Sequence, residues 1–129
     1  MEDQFRPLLA DLYYPSESDE AVAFVTCPIN QPDPLTVSQI KQWLMLPPGV
    51  YVEEIPEVQF WQPVTTVEDW YGEEEKARTD RFVQLKQQFE AQLTDRQAFR
   101  AGQSEVTLLL LGRQPDGARA GLKTTVIET

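Results

Sequence analysis

The chain has 129 residues, 41% of them hydrophobic, and a formal net charge of −10, which bounds one domain with a real core and excludes global disorder. With no histidine and a single cysteine, the usual general base near neutral pH, an intramolecular disulfide and a zinc site are out of reach. A surface this acidic disfavours direct nucleic-acid binding and suits a basic partner, or a partner site that holds a metal cation.

Phe5, Leu8, Leu9, Leu12 and Tyr13 fall at helical spacing. They predict a short helix that starts near Arg6, because Pro7 is tolerated only in a first turn, and ends at Tyr14-Pro15. Ser16-Glu-Ser-Asp-Glu20 reads as an acidic loop, solvated rather than packed. Residues 21–26 read as a first strand, and Cys27 to Pro34 as a proline-rich loop in which Cys27 is a small buried hydrophobe. Thr36 and Gln39 form a capping box, Leu35 and Ile40 a hydrophobic staple, and Val37, Ile40, Trp43 and Leu44 the apolar face of the helix they open. Pro47-Pro-Gly49 stops it. Residues 50–55, with Glu53, Glu54 and Pro56, read as an edge strand.

Phe60, Trp61 and Pro63 read as an aromatic loop. Thr66, with Asp69 as its return partner, predicts the cap of a long helix over residues 69–93, supported by a Glu74–Arg78 pair and lined by Phe82, Leu85, Phe89 and Leu93. Thr94-Asp95 breaks that helix. Residues 105–111 are apolar on both alternate sets, the pattern of a strand buried on both faces. Gly112-Arg-Gln-Pro-Asp-Gly117 reads as a turn in which Asp116 bonds its own backbone and Gly117 takes positive φ. Residues 121–129 read as a second, antiparallel strand that holds the final carboxylate at a sheet end. A mixed sheet with helices on both faces accommodates these elements.

No apolar run reaches the roughly 20 residues that span a bilayer, and the acidic N-terminus lacks a signal-peptide pattern. The expectation is a cytoplasmic protein with no membrane contact. Glu17 is flanked by small hydroxyl residues, and such an accessible carboxylate suits Mg²⁺ or Ca²⁺; an ordinary polar loop is the plainer alternative. Trp70 either packs inward or projects as an interface anchor. Glu53, Glu54 and Glu57 read as a solvated face rather than an acid–base pair, which leaves a carboxylate-based hydrolase unsupported.

Ser16-Glu-Ser18, Thr65-Thr-Val-Glu-Asp-Trp-Tyr71, Glu73 to Glu75, Phe99-Arg100, Gly112 with Pro115 and Gly117, Ala120-Gly121 and Val126-Ile-Glu-Thr129 resemble the nuclease A inhibitor family. The resemblance is dense from Val64 onward and thin before it. It implies an α+β fold, an α/β/α sandwich with a mixed, largely antiparallel central sheet, as one domain over residues 1–129. It also implies a bacterial protein inhibitor without enzymatic activity or cofactor, monomeric when free, that plugs a metal-dependent, sugar-non-specific endonuclease. By the same resemblance Glu17 reaches toward the metal of the bound nuclease, while Trp70 and Thr129 contact the enzyme. Glu68 stands where a family member carries an amide, next to Asp69. The alternative is the same fold acting as an acidic binding module for another basic partner.

Overall fold

A computed structural model of the chain describes residues 2–128. Its elements in chain order are α1 (Glu2–Leu9), β1 (Tyr13–Tyr14), β2 (Glu20–Ala21), β3 (Ala23–Cys27), α2 (Val37–Trp43), β4 (Val52–Ile55), α3 (Val58–Thr65), α4 (Glu73–Gln92), β5 (Thr94–Ala101), β6 (Glu105–Arg113) and β7 (Arg119–Ile127). The result is an α+β fold. A five-stranded sheet runs in the order β3-β7-β6-β5-β4, and β1 and β2 form a separate two-stranded hairpin. The sequence predicts a mixed, largely antiparallel sheet; every strand pair among the described residues is antiparallel.

The doubly apolar β6 lies at the centre of this sheet. Val106, Leu108 and Leu110 face one core, built from Phe5 of α1, Phe60, Trp61 and Val64 of α3, and Phe82, Leu85 and Phe89 of α4. Leu109 and Leu111 point the opposite way, into a second core with Ile40 of α2, Leu35, Cys27, Val52 and Phe99. The period of two along the strand therefore places helices on both faces of the sheet. As its composition suggests, β4 is an edge strand. Cys27 is buried, and burial pushes its thiol pKa up.

The capping box at α2 forms as expected. Thr36 accepts a hydrogen bond from the Gln39 backbone N–H at 3.2 Å, and the Gln39 side chain accepts from the Thr36 N–H at 3.0 Å. Val37, expected on the apolar face, is exposed. The first helix lies earlier in the chain than predicted, beginning at Glu2 rather than near Arg6 and stopping short of Tyr14. It ends at Leu9, and Leu12 enters the core from the connection to β1, past Asp11 at φ 54°. Pro7 sits inside α1, beyond the first turn. Arg81 of α4 donates to the carbonyl oxygens of Leu8, Ala10 and Asp11, satisfying acceptors that the helix end leaves open.

Two elements depart from expectation. Residues 58–65 form α3 rather than a loop, despite Pro63. The helix ends two residues after that proline, and burial of Phe60, Trp61 and Val64 supports it. Its last carbonyls are met by hydroxyls: Thr65 Oγ1 donates to Trp61 O and Thr66 Oγ1 to Gln62 O, each at 2.8 Å. Thr66 thus serves the preceding helix and does not cap the following one. Gly72 opens α4 instead, its N–H donating to Glu75 Oε2 at 3.0 Å. The second departure is β5, which opens on four polar residues and lies between β4 and β6.

Candidate partner-binding surface

The β1–β2 hairpin carries the acidic loop, with Tyr14 paired to Glu20 and residues 15–19 between them. Tyr14 is buried, and its hydroxyl donates to Phe60 O at 2.8 Å, which pins the hairpin onto α3. Burial away from water raises the Tyr14 pKa and keeps the phenol a neutral donor. The side chains of Glu17 and Asp19 are exposed, as expected of a solvated loop. The backbone beneath them is tied down more than like-charge repulsion suggests. Ser16 Oγ donates to Ser18 O at 2.7 Å and accepts from the Ser18 N–H at 3.3 Å; Ser18 Oγ donates to Glu20 Oε1 at 3.1 Å.

The end of β7 lies against this loop. The Ile127 N–H donates to Ser16 Oγ at 3.1 Å, the Glu128 N–H donates to Ser104 O at 2.7 Å, and the Glu128 carboxylate pairs with the Arg100 guanidinium of β5. Thr129, the next candidate, lies outside the described residues. Ser16, Ile127, Glu128 and Arg100 border a concavity of about 670 Å³, with Glu68 on its rim and Leu108, Val126 and Ile55 on its apolar floor. Residues from opposite ends of the sequence thus frame one depression: the acidic loop, the segment after α3, and the last strand.

Arg100 holds the Glu128 carboxyl below its ordinary range, chiefly by hydrogen bonding, and Glu128 raises the Arg100 pKa in return. A folded-state pKa below the unfolded one contributes stability above the unfolded value and loses it as pH falls through the folded value. The pair is half exposed, so its worth is expected below about 1 kcal/mol. Denaturant unfolding of the wild type and Glu128→Gln should differ by that small amount at neutral pH, and the difference should shrink as pH falls from the ordinary glutamate range through the lowered Glu128 pKa, where the carboxylate protonates. A difference that persists unchanged into acid would show that the ion pair is not its source.

Glu68, Asp69 and Trp70 occupy the connection between α3 and α4 and are all exposed. Trp70 and Asp69 therefore stand in a turn before the helix, closed by Tyr71 N–H donating to Glu68 O at 3.1 Å, and not in its first turn. Trp70 is 72% exposed and meets Tyr71 edge-on, with ring centroids 4.7 Å apart at 87°. Arg78 lies over the Tyr71 ring at 5.9 Å; among the described residues no Glu74–Arg78 ion pair forms. The structure brings Glu68, Ser16 and Glu128 around one concavity; Glu17, the next residue of the loop, does not line it. Trp70 stands beside it, on the segment that supplies Glu68, without lining it.

Several structural contributors carry no signal in the sequence. Glu57 is no solvated acid: it accepts from Trp61 Nε1 and Arg96 Nε, both at 3.0 Å. Arg119 is only 2% exposed and donates to the carbonyl oxygens of Gln31 and Asp33, while Arg113 donates to that of Pro32. Desolvation and the nearby Arg113 charge lower the Arg119 pKa. These arginines fasten the proline-rich loop on the far side of the sheet. The Ser16 hydroxyl and Arg100 could not be read as positioning groups either, because their partners lie far along the chain.

Among the described residues no group of three cysteines, aspartates or glutamates gathers to hold a metal, and no helix is long and apolar enough to cross a membrane. No curated protein matches the chain. A family model described as nuclease A inhibitor-like protein matches residues 1–129.

Proposed function

The chain belongs to the nuclease A inhibitor-like family, and from that premise we propose that it plugs the active site of a Mg²⁺-dependent, sugar-non-specific endonuclease. Such a site is basic and holds a hard cation, because it must bind phosphates. Glu17 approaches that metal, where a phosphate oxygen would stand. Glu68, Asp69, Trp70 and Thr129 complete the contact. The reading is supported above all by one observation: Ser16, the neighbour of Glu17 in the acidic loop, lines a single concavity together with Glu68 and Glu128 although the three are remote in sequence. The net charge of −10 steers encounter with a basic partner, and desolvated contacts supply the affinity.

Titration of a purified Mg²⁺-dependent non-specific nuclease, followed by DNA cleavage, tests this. The wild type is expected to inhibit stoichiometrically. Glu17→Ala and deletion of Thr129 should each weaken inhibition by about tenfold or more, the scale of one lost charged contact. A folded sample that fails to inhibit at large excess would overturn the reading in favour of an acidic binding module for a different basic partner.

A further inference from the structure

In the sheet, β3 pairs with β7 only over Arg119 to Lys123. The outer edge of β7 from Thr124 onward is left without a strand of that sheet, and an unpaired edge normally frays or recruits another partner. Here the β1–β2 hairpin covers it through side chains. Thr124 Oγ1 donates to Ala21 O at 3.0 Å, and the Ile127 N–H donates to Ser16 Oγ at 3.1 Å. The Ser16 hydroxyl also donates to Ser18 O and accepts from the Ser18 N–H. A hydroxyl has one donor and two acceptor lone pairs, so all three capacities of Ser16 are in use. Two of them shape the backbone on either side of Glu17; the third grips the strand that leads to Glu128.

We propose that Ser16 is a positioning residue, whose hydroxyl locks the Glu17 loop to the end of β7 before any partner binds. The inference rests on the functional reading above, since it assigns Ser16 the preassembly of that contact surface. Preorganisation of this kind lowers the ordering cost of association and lengthens the life of the complex. Ser16 need not touch the partner to do so. Arg100 acts in the same sense from the other side, through Glu128.

The test compares Ser16→Ala and Ser16→Thr with the wild type. Amide hydrogen exchange by NMR reads the lock without any nuclease. Ile127 should lose protection in Ser16→Ala and regain it in Ser16→Thr, while core amides of β6 are unchanged. With the nuclease, Ser16→Ala should raise the dissociation rate about tenfold, the scale of one hydrogen bond to a preorganised site, with little change in association rate. Glu17→Ala should cost less in the Ser16→Ala background than in the wild type, because the two residues act as a unit. Unchanged Ile127 protection in Ser16→Ala overturns the lock. Lost protection with unaltered dissociation overturns its role in binding. A wild type that inhibits no such nuclease overturns the functional reading and with it that role, while the exchange result still judges the lock on its own.

Discussion

Gly121→Ala is expected to destabilise the fold by about 3 kcal/mol or more, at or above the upper end of what overpacking a core usually costs. Gly121 lies on β7 opposite Leu111 of β6, in the middle of the sheet. A Cβ at this position would stand 2.8 Å from the Leu110 carbonyl carbon and 2.9 Å from Leu111 Cα, and closer still to the Leu110 oxygen. These are backbone atoms of the central strand, so no side-chain rotation relieves the clash. The two strands would have to separate where they carry both cores. The melting temperature should fall by about 10–20 °C for a chain of this size. Gly49 provides the control, since nothing lies within 4 Å of the point where its Cβ would stand and its φ is ordinary; Gly49→Ala should melt within a few degrees of the wild type. Equal melting temperatures for the two variants would refute the close approach of β6 and β7.

Trp70→Ala is expected to separate binding from stability. Burial is the commoner fate of a tryptophan, yet Trp70 is the most exposed aromatic among the described residues and contributes to neither core. Removing it should change unfolding free energy by less than about 0.5 kcal/mol, as for other surface sites. The ring is not free to collapse: it is braced edge-on by Tyr71, which lies beneath Arg78. A braced, solvent-facing indole presents a large apolar surface at low entropic cost, the property of an interface anchor. Inhibition of the nuclease should weaken by about 2–3 kcal/mol, or about 30- to 150-fold. Met45, 88% exposed beyond α2 on the other side of the sheet, is the reference; Met45→Gln should alter neither property. A Trp70→Ala variant that inhibits like the wild type would remove Trp70 from the contact surface.

Elements whose signals are local can be read from the chain without its fold. Residues 105–111 announce the central strand because both alternate sets are apolar, and no tertiary partner is needed to read that. Thr36 and Gln39 announce α2 because a cap joins residues three apart. Phe82, Leu85, Phe89 and Leu93 announce the core face of α4, although its start lies at Gly72 rather than Asp69, where Glu75 supplies the cap. Long-range contacts, by contrast, set β5. Its first four residues are polar and only Ala98, Phe99 and Ala101 are buried apolar, and its arginines are tolerated because Glu57 and Glu128, from distant elements, meet Arg96 and Arg100. The same holds for α3, whose proline argues against a helix until burial of Phe60 and Trp61 outweighs it. For the candidate surface, the residue types around Glu17, Glu68 and Trp70 are legible, whereas their arrangement is not. Ser16 and Ile127 are 111 residues apart and share one hydrogen bond. Only closure of the whole sheet brings such groups within reach, and neither periodicity nor capping records a contact of that range.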